Sequence, residues 1–401
     1  MKTDFLIIGA GILSLTISLE LKKRFPDQKI IIIEKESQVG MHASGRNSGV
    51  LHAGFYYTAD SLKARFCRDG NRAMKAYCRE HNIPLNENGK LVVVKDESEL
   101  TALKTLYERG LKNGVDLKWI DEDAVREIEP RAKTIKHAIF SPETASVNPQ
   151  LVLQSLIQEA QKNQITILYN EKYISSNKKE KIITTSKQNI HAGFVINTAG
   201  LYADHIAKQF GFSKHYEIVP FKGLYLYSDE KPGSLKTHIY PVPDLNYPFL
   251  GVHYTVTADG KIKLGPTAIP AFWRENYDGL KHFSASEMAA IVKREIILFL
   301  QNKFHFRKIA LYEMKKYSKK FLASQASYMV HDFDVSQYKT WGKPGIRAQL
   351  VDTRDNTLVN DFCFEHDDYS LHVLNAVSPA FTGSFPFAKY LVEAVLQKRA
   401  R

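Results

Sequence analysis

Two glycines and one acidic residue near the amino terminus have the spacing of a dinucleotide-binding turn. Gly9 and Gly11 follow a short apolar run, and Glu34 ends a second apolar run, IIIIE. The first glycine permits a tight bend, and a side chain at the second would hold the backbone away from a pyrophosphate. An acid at the end of the second strand accepts hydrogen bonds from ribose hydroxyls. The sequence therefore predicts a dinucleotide site for NAD or FAD.

Ser14 departs from this fingerprint. The third small position is normally Gly or Ala, because the helix and the strand pack closely there, but serine is small enough to serve. A helix that begins at this turn directs its N–H groups and its positive dipole end at an anion, which suits a pyrophosphate.

A loop of small and polar residues follows the second strand, with the sequence GMHASGRNSGVLHAGFYY over residues 40–57. Its hydrogen-bond donors and proton-carrying groups are Arg46, Asn47, Ser48, His52, Tyr56 and Tyr57. Parallel sheets bind ligands where their strands end, so we expect this loop to contact the ligand. A flexible surface loop is the alternative interpretation.

The elements that position these groups are a strand, a turn, a helix and a second strand. Residues 4–21 are almost wholly apolar, which is near the lower limit for a membrane span. The run opens with Asp4, however, contains Gly9 and Gly11, and precedes a second run that ends at Glu34. This alternation is typical of a buried βαβ unit. We therefore expect no targeting segment and a cytoplasmic protein that starts at Met1.

The composition excludes several classes of protein. The 401 residues are 44% hydrophobic and 24% charged, which is ordinary globular usage and enough for two domains. Three cysteines without a CxxC pair argue against a disulfide framework or a structural zinc site and favour a reducing compartment. HExxH and GxSxG motifs are absent from the sequence, so we expect neither a metal centre nor serine-hydrolase chemistry.

The segment SGRNSGVLHAGFYY, residues 44–57, resembles the flavin-contacting loop of the D-amino-acid-oxidase-like FAD oxidoreductases. Within them it most resembles the L-2-hydroxyglutarate oxidase/dehydrogenase branch. Further matching segments are GFVINTAGLYAD (193–204), IYPVPDLNYPFLGVHYT (239–255), KLGPTA (263–268), GIRAQ (345–349) and LHVLNAVSPAFTGSFPFA (371–388). The resemblance covers residues 4 to about 396. It departs at Lys222, Leu224, Val256 and Thr267, where the branch usually has Arg, Glu, Arg and Asn.

The resemblance implies an α/β fold, in which a Rossmann-like FAD-binding domain is interleaved with an α+β substrate domain built on a largely antiparallel sheet. We expect the FAD-binding domain to comprise residues 1–84, 145–215 and 340–401, and the substrate domain to comprise residues 85–144 and 216–339.

The resemblance also implies which residues contact FAD. In the amino-terminal part these are Gly9, Gly11, Ser14, Glu34, Lys35, His42, Ser44, Arg46, Asn47, Ser48 and Gly49. In the later segments they are Thr198, Ala199, Gly200, Ser378, Thr382 and Gly383. His42 is expected to line the flavin, and His42 and His52 are candidates for a covalent linkage to it.

Oxidation of an alcohol at a flavin requires a base for the hydroxyl proton and cationic groups for carboxylates. His52 is the expected base and His253 its rival, since an imidazole titrates near neutrality. Arg347 is expected to bind the α-carboxylate, because a guanidinium can hold a carboxylate with two hydrogen bonds. Lys222 could bind a distal carboxylate, and Tyr57 and Tyr240 could donate to the substrate.

We therefore expect an FAD-dependent oxidase or dehydrogenase of an L-2-hydroxyacid, most closely L-2-hydroxyglutarate, that passes electrons to quinone or oxygen. One alternative is an amino-acid or secondary-amine oxidase that resembles glycine and sarcosine oxidases. Another is a flavin-binding protein without catalysis. The oligomeric state stays open.

The net charge of +12 allows an anionic substrate, a membrane surface or a nucleic acid as partner. Lysine clusters at 178–181 and 315–320 are ordinarily solvated faces. The amphipathic stretch 291–304, IVKREIILFLQNKF, indicates instead peripheral docking at the inner face of the membrane. No RNP, KH or zinc-knuckle pattern occurs in the sequence, so a nucleic-acid partner is not expected.

Overall fold

The computed structural model describes residues 1–244 and 249–399, without the side chains of Phe304 and of residues 395–399. The chain divides into two compact units. Unit 1 contains Met1–Asn47, Pro149–Pro220 and Arg347–Arg401, and unit 2 contains Ser48–Asn148 and Phe221–Ile346. The expected division differs from these units at residues 48–84, 145–148 and 340–346, which belong to unit 2, and at residues 216–220, which belong to unit 1.

The described helices and strands alternate along the chain. The helices are α1 Ile12–Arg24, α2 Leu62–Glu80, α3 Leu100–Lys112, α4 Glu122–Ile128, α5 Pro149–Lys162, α6 Ala203–Gln209, α7 Ala285–Gln301, α8 Phe306–Lys315, α9 Lys319–Ser324 and α10 Ser384–Arg399. The strands are β1 Lys2–Ile8, β2 Ile30–Ile33, β3 Val50–Leu51, β4 Leu85–Asn86, β5 Lys90–Val93, β6 Lys118–Asp121, β7 His137–Ser141, β8 Ala145–Val147, β9 Thr166–Leu168, β10 Tyr173–Asn177, β11 Ile182–Thr185, β12 Asn189–Asn197, β13 Tyr216–Gly223, β14 Leu226–Ser228, β15 His238–Pro241, β16 His253–Val256, β17 Ile262–Gly265, β18 Ile269–Pro270, β19 Tyr338–Trp341, β20 Gly345–Asp352, β21 Thr357–Leu358, β22 Cys363–His366 and β23 Ser370–Asn375.

Unit 1 is built on an eight-stranded mixed sheet. Six strands lie in the order β10-β11-β12-β1-β2-β9, with β23 beside β12 and β22 beside β23. The neighbouring strands β12, β1, β2 and β9 run parallel, as the buried βαβ pattern predicts. Helix α1 packs against α5 and α10, which explains why it is apolar on most sides. Within residues 1–244 and 249–399, no helix has the length and apolar character that a membrane span requires.

Unit 2 is built on a second eight-stranded sheet, in the order β19-β14-β17-β16-β15-β5-β7-β6. Strands β5 and β15 pair in parallel, and the other described pairs of this sheet are antiparallel. A small sheet, β3-β8-β4, binds residues 50–51 to residues 145–147. This pairing explains why the segment that begins at Ser48 belongs to unit 2. The expected α/β fold with a largely antiparallel second sheet is confirmed.

Candidate functional site

Three neighbouring parallel strands of unit 1 end at the same level. Ile8 of β1 lies beside Ile33 of β2 and beside Asn197 of β12. The residues that follow these strand ends are Gly9, Glu34 and Thr198. Glu34 is 25 residues beyond Gly9 in the sequence, and Thr198 is 164 residues beyond Glu34. The fold therefore brings three distant predicted cofactor contacts to one edge of the sheet. Such an edge is the usual ligand site of an open parallel sheet.

Gly9 is required by its conformation and by its neighbours. Its φ is +92°, and a Cβ there would lie 3.1 Å from the Thr198 carbonyl oxygen. Gly11 is the N-cap residue of α1, and it makes no side-chain hydrogen bond to the helix because glycine has no side chain. Its Cβ position is 3.0 Å from Ser44 Oγ, and that hydroxyl accepts a 2.9 Å hydrogen bond from the Ile12 N–H.

The serine that replaces the third small residue of the fingerprint makes its own contacts. Ser14 is fully buried, and its hydroxyl donates to the Gly9 carbonyl and lies 2.8 Å from Thr198 Oγ1. Thr198 Oγ1 in turn donates to the Ile8 carbonyl at 3.1 Å. This chain of contacts joins the glycine turn to the end of β12, which explains how serine is accommodated.

Glu34 orders the turn through its carboxylate. The Ala10 N–H donates to one oxygen at 2.7 Å and the Glu36 N–H to the other at 2.9 Å. Two backbone donors hold the carboxylate at the end of β2 while its oxygens retain further lone pairs. A ribose hydroxyl donates to such an oxygen in dinucleotide sites.

Glu36 is the centre of a small charged group. Lys35 Nζ is 2.6 Å from Glu36 Oε1, and His42 Nε2 is 2.9 Å from the same oxygen. The hydrogen bond from His42, followed by those from Lys35, lowers the pKa of Glu36 to about 2, although burial opposes this shift. The described contacts thus place Lys35 and His42 on a carboxylate of their own loop, and their expected contact with FAD stays a prediction.

The remaining loop residues of unit 1 hold the loop itself in place. Arg46 Nε donates to the Met41 carbonyl at 2.6 Å, and Asn47 Nδ2 donates to the Ser44 carbonyl at 2.8 Å. Gly45 must be glycine, because a Cβ would lie 2.1 Å from the Gly40 carbonyl oxygen. These bonds keep Ser44 over the amino end of α1. Ser48 and Gly49, also expected at the cofactor, belong to unit 2.

The later segments of unit 1 supply two further turns. Ala199 follows Thr198, and Gly200 has a φ of +55° with open space at its Cβ position. Thr382 and Gly383 are buried directly before α10, and the Gly383 N–H donates to the Pro379 carbonyl. Ser378 is exposed.

The residues of this edge fit an FAD pyrophosphate and ribose. The turn has glycine where a side chain would obstruct a phosphate, a helix start whose N-cap glycine provides no side-chain cap, and a carboxylate at the ribose position. Every one of these features belongs to unit 1.

In unit 2, the strand register gathers four of the chemically capable side chains. His238 of β15 lies beside Lys90 of β5, and because Ile239 faces Tyr254, the next pair is Tyr240 with His253. The Tyr240 and His253 rings stack at 3.6 Å between centroids, with 18° between their planes. Side chains alternate along a strand, so the neighbours Leu91 and Ile239 enter the apolar core on the opposite face.

His52 joins this group from the loop after β3. His52 Nδ1 lies 3.4 Å from Lys90 Nζ, at the long limit of a hydrogen bond. Burial, and then the charges of Lys90, His253 and His238, hold the pKa of His52 well below its usual range. We call His52, Tyr56, Lys90, Tyr240 and His253 the histidine–lysine cluster.

The two histidines of the cluster differ in their hydrogen bonds and in their exposure. His253 Nδ1 is 2.7 Å from the Gly251 carbonyl oxygen, which can only accept, so this nitrogen carries the proton. A neutral His253 therefore has its lone pair on Nε2. His52 is half-buried, whereas His253 is 3% exposed and stacked on Tyr240. His52 is thus the more accessible of the two imidazoles.

Lys90 is a residue that the sequence did not single out. It is fully buried, and its Nζ lies 4.2 Å from the ring centroid of Tyr240, 5.1 Å from that of Tyr56 and 5.4 Å from that of Phe55. Burial lowers the pKa of Lys90 to about 7, although Cys67 opposes the shift. A lysine at the start of a strand ordinarily extends its charge to solvent, so the sequence carries no signal for this burial.

Lys263 and Lys222 are two of the other buried lysines of unit 2. Lys263 Nζ donates to the Ser48 carbonyl at 2.9 Å and lies over the Tyr225 ring, and burial lowers its pKa to about 8. Burial also lowers the pKa of Lys222 on β13, although Asp278 opposes this. Thr267, which stands where asparagine was expected, donates to the Lys222 carbonyl and accepts from the Leu224 N–H. Its hydroxyl thus joins the two backbone segments.

Three further residues, Tyr57, Lys222 and Arg347, were expected to contact the substrate. Tyr57 lies one residue beyond Tyr56, with its ring 5.9 Å from Lys63 Nζ. Arg347 belongs to unit 1, on β20. Val256, which stands where arginine was expected, is buried in the apolar core of unit 2. The roles of Tyr57, Lys222 and Arg347 therefore stay predictions.

Substitution of Glu34 provides a direct test of the expected FAD site at this edge of the unit 1 sheet. Glu34→Gln keeps the size of the side chain but removes the charge that its two N–H donors share and that a ribose hydroxyl is expected to contact. Hydrogen bonds to charged groups contribute about 1.5–3 kcal/mol, so FAD affinity should fall by roughly 10- to 100-fold. Fluorescence titration of the apoprotein with FAD measures this. Glu20→Gln on the outer part of α1 is the control, and an equal loss there would contradict the assignment.

Comparison with known proteins also indicates an FAD-dependent oxidoreductase, over nearly the whole chain. The model of the family described as FAD dependent oxidoreductase matches residues 4–394. The mitochondrial L-2-hydroxyglutarate dehydrogenase of Nematostella vectensis is 37% identical, over 98% of this chain and 91% of its own length. The L-2-hydroxyglutarate dehydrogenase of Escherichia coli K12 is 36% identical, over 98% and 93%, and that of Indibacter alkaliphilus is 35% identical, over 99% and 100%.

Solved structures confirm the fold. L-α-glycerophosphate oxidase from Mycoplasma pneumoniae, with FAD bound, superposes with a TM-score of 0.75 at 20% identity, over 99% of this chain and 95% of that chain. Glycine oxidase from Geobacillus kaustophilus superposes with a TM-score of 0.73 at 17% identity, over 99% and 95%. With the glycine turn, the Glu34 carboxylate and a family match over nearly all of its residues, the chain belongs to the FAD-dependent oxidoreductases of the DAO family and has FAD as its cofactor.

Proposed function

We propose that this protein oxidises L-2-hydroxyglutarate to 2-oxoglutarate with FAD. The observation that carries the proposal is the identity of 35–37% to L-2-hydroxyglutarate dehydrogenases over 98–99% of the chain. The buried lysines Lys222 and Lys263 of unit 2 agree with a substrate that has two carboxylates, since neither forms an ion pair among the described residues. The reaction acts on a CH–OH group.

FAD supplies the acceptor for the hydride that leaves C2 of the substrate, and the protein must take the hydroxyl proton. We assign that proton to His52, with His253 as the rival base. His52 is accessible and neutral near pH 7, because burial and the neighbouring positive charges hold its pKa low. His253 is stacked on Tyr240 and bound to the Gly251 carbonyl, so it is better placed to fix the Tyr240 ring.

The substrate carboxylates require cationic partners. We assign the α-carboxylate to Arg347, because a guanidinium binds a carboxylate through two parallel hydrogen bonds. Lys222 is assigned to the distal carboxylate, on account of its burial in β13. Tyr57 and Tyr240 are assigned as hydrogen-bond donors to the substrate.

The electrons would pass from FAD to a quinone or to oxygen, and one surface of unit 2 favours a quinone in a membrane. We give the name α7–α8 patch to six of the exposed apolar side chains of helices α7 and α8: Met288, Ile296, Phe299, Leu300, Leu311 and Met314. Ile296 is 52%, Leu300 67% and Leu311 60% exposed. Exposed apolar groups on this scale are typical of an interaction surface.

The charge around the α7–α8 patch indicates an anionic lipid surface. Residues 285–320 contain nine lysines and arginines against three glutamates, and Glu295, Glu313 and Lys316 among them are buried. An apolar patch within basic residues suits the interface of a bilayer with anionic headgroups. We propose a cytoplasmic protein that docks at the inner face of the membrane through this patch.

The proposed reaction predicts rapid anaerobic bleaching of the flavin absorbance near 450 nm by L-2-hydroxyglutarate. The D-enantiomer, shorter 2-hydroxyacids, glycine and sarcosine should reduce the flavin at least tenfold more slowly, because the site holds one configuration and two carboxylates. Rapid bleaching by glycine or sarcosine would favour an amine oxidase instead. A flavoprotein that none of these compounds reduces would contradict the assigned activity.

The assignment of the base predicts different effects for two histidine substitutions. His52→Gln should lower the rate constant for flavin reduction by about 10²- to 10⁴-fold, which is the usual contribution of a general base. His253→Gln should lower it by less, about tenfold, since a positioning role tolerates an amide. Stopped-flow absorbance measures both, with FAD content as the control for folding. The reverse order would assign the base to His253.

The α7–α8 patch predicts binding to vesicles of phosphatidylethanolamine and phosphatidylglycerol in a flotation assay. Leu300→Glu should abolish this binding, since it places a negative charge in the apolar face. Leu111→Glu, at a 49% exposed leucine of α3, is the matched control. Equal binding to pure phosphatidylcholine, or equal loss in both variants, would contradict docking through this patch.

A further inference from the structure

Lys90 differs from two other buried lysines of unit 2, Lys263 and Lys316, in what its amine contacts. Lys316 forms an ion pair with the buried carboxylate of Glu313, and Lys263 donates to the Ser48 carbonyl. Among the described residues, the Lys90 amine has one hydrogen-bonding neighbour, the Nδ1 of His52, and three aromatic rings. An amine that faces an imidazole nitrogen can give it a proton or take one from it.

We infer that Lys90 is the proton acceptor behind His52: the neutral Lys90 amine receives the Nδ1 proton of His52 as His52 Nε2 takes the hydroxyl proton of the substrate. This inference rests on the proposed function, in which His52 is the base. It makes Lys90 a positioning residue, since it acts through His52.

The O–H bond of the substrate breaks and its proton binds to His52 Nε2, while the N–H bond at Nδ1 breaks and that proton binds to the lone pair of Lys90 Nζ. The C2–H electron pair leaves as a hydride for FAD, and C2 becomes a carbonyl carbon. His52 is again neutral afterwards, and Lys90 carries the positive charge.

The surroundings explain why the proton would pass beyond His52. Burial makes an imidazolium at this position unfavourable, because the pKa of His52 lies well below its usual range. The pKa of Lys90, lowered by burial to about 7, is the higher of the two. The faces of Tyr240 and Tyr56 lie within 4.2 and 5.1 Å of the amine and stabilise an ammonium by cation–π attraction.

The neighbouring titratable groups do not provide a competing acceptor near pH 7. Burial raises the pKa values of Cys67, Tyr56 and Tyr240 well above their usual ranges, so these groups stay neutral. Burial and Lys90 hold the pKa of His238 well below its usual range, and its ring is held by Ser146 and the Val256 N–H. The titratable groups of His253 and Lys263, which also lie nearby, are hydrogen-bonded to backbone carbonyls.

The state of Lys90 selects the tautomer of His52. A charged Lys90 can only donate, so it occupies the Nδ1 lone pair and leaves the proton on Nε2, where His52 cannot act as a base. A neutral Lys90 accepts from Nδ1–H and leaves the lone pair on Nε2. Because Lys90 loses its proton as the pH rises through about 7, the competent tautomer appears above that pH.

The test combines flavin reduction with the tautomer of His52. In the wild type, the rate constant for flavin reduction by L-2-hydroxyglutarate should rise through about pH 7. Lys90→Met should lower it about 10- to 100-fold at pH 8 and remove this inflection, because methionine cannot exchange a proton. Lys90→Arg should lower it further, without recovery up to pH 10, since the guanidinium stays charged. Lys95→Met, at an exposed lysine beyond the same strand, should keep the wild-type profile.

Nitrogen NMR of protein with ¹⁵N-labelled histidine gives a readout that does not depend on turnover. The His52 signals, assigned by their loss in His52→Gln, should change from the Nε2–H to the Nδ1–H tautomer as the pH rises through about 7. Lys90→Met should abolish this change.

The outcomes separate the two proposals. If His52→Gln reduces its flavin at the wild-type rate, the assignment of the base is wrong. If His52→Gln is slow but Lys90→Met keeps the wild-type pH profile and the tautomer change, the Lys90 relay alone is wrong. Loss of rate by the same factor at every pH, with the tautomer change intact, would indicate that Lys90 only packs the site and would overturn the relay.

Discussion

The burial of basic side chains without acidic partners is the constraint on which the chemistry of unit 2 depends. Lys90 is 0%, Lys263 5% and Lys222 6% exposed, and none of the three forms an ion pair in the described residues. Removing a charged amine from water is costly, so each pKa falls towards the working pH. Aromatic faces and backbone carbonyls offset part of this cost. The resulting environment attracts an anionic substrate and disfavours a further positive charge on His52.

The strand register makes this arrangement possible. Lys90 and His238 are side by side because β5 and β15 pair in parallel, and Tyr240 faces His253 because β15 and β16 pair in antiparallel fashion. A shift of one residue would move these side chains to the core face of the sheet. The apolar residues between them, Leu91 and Ile239, are buried on that face and so hold the register. The same packing that stabilises unit 2 therefore positions the histidine–lysine cluster.

The dinucleotide edge could be predicted from the sequence because its requirements are local. Gly9, Gly11 and Glu34 satisfy backbone geometry and charge within one βαβ unit, and the predicted strands and helix are found there. Residues 48–84 were placed in the other half because the pairing of β3 with β8 joins segments about 95 residues apart. Lys90 was missed for a related reason. Its burial depends on Tyr56, Tyr240 and His52, which come from other segments of the chain, and nothing in the strand KLVV indicates them.

The central claim is that C2 of L-2-hydroxyglutarate gives its hydride to the FAD of this protein. The most direct measurement is a single anaerobic turnover with substrate deuterated at C2, followed by quantification of the products. The account predicts a primary isotope effect on flavin reduction and one 2-oxoglutarate for each FAD reduced, with no ammonia. Flavin reduction that is insensitive to deuterium, or that yields no 2-oxoglutarate, would contradict it.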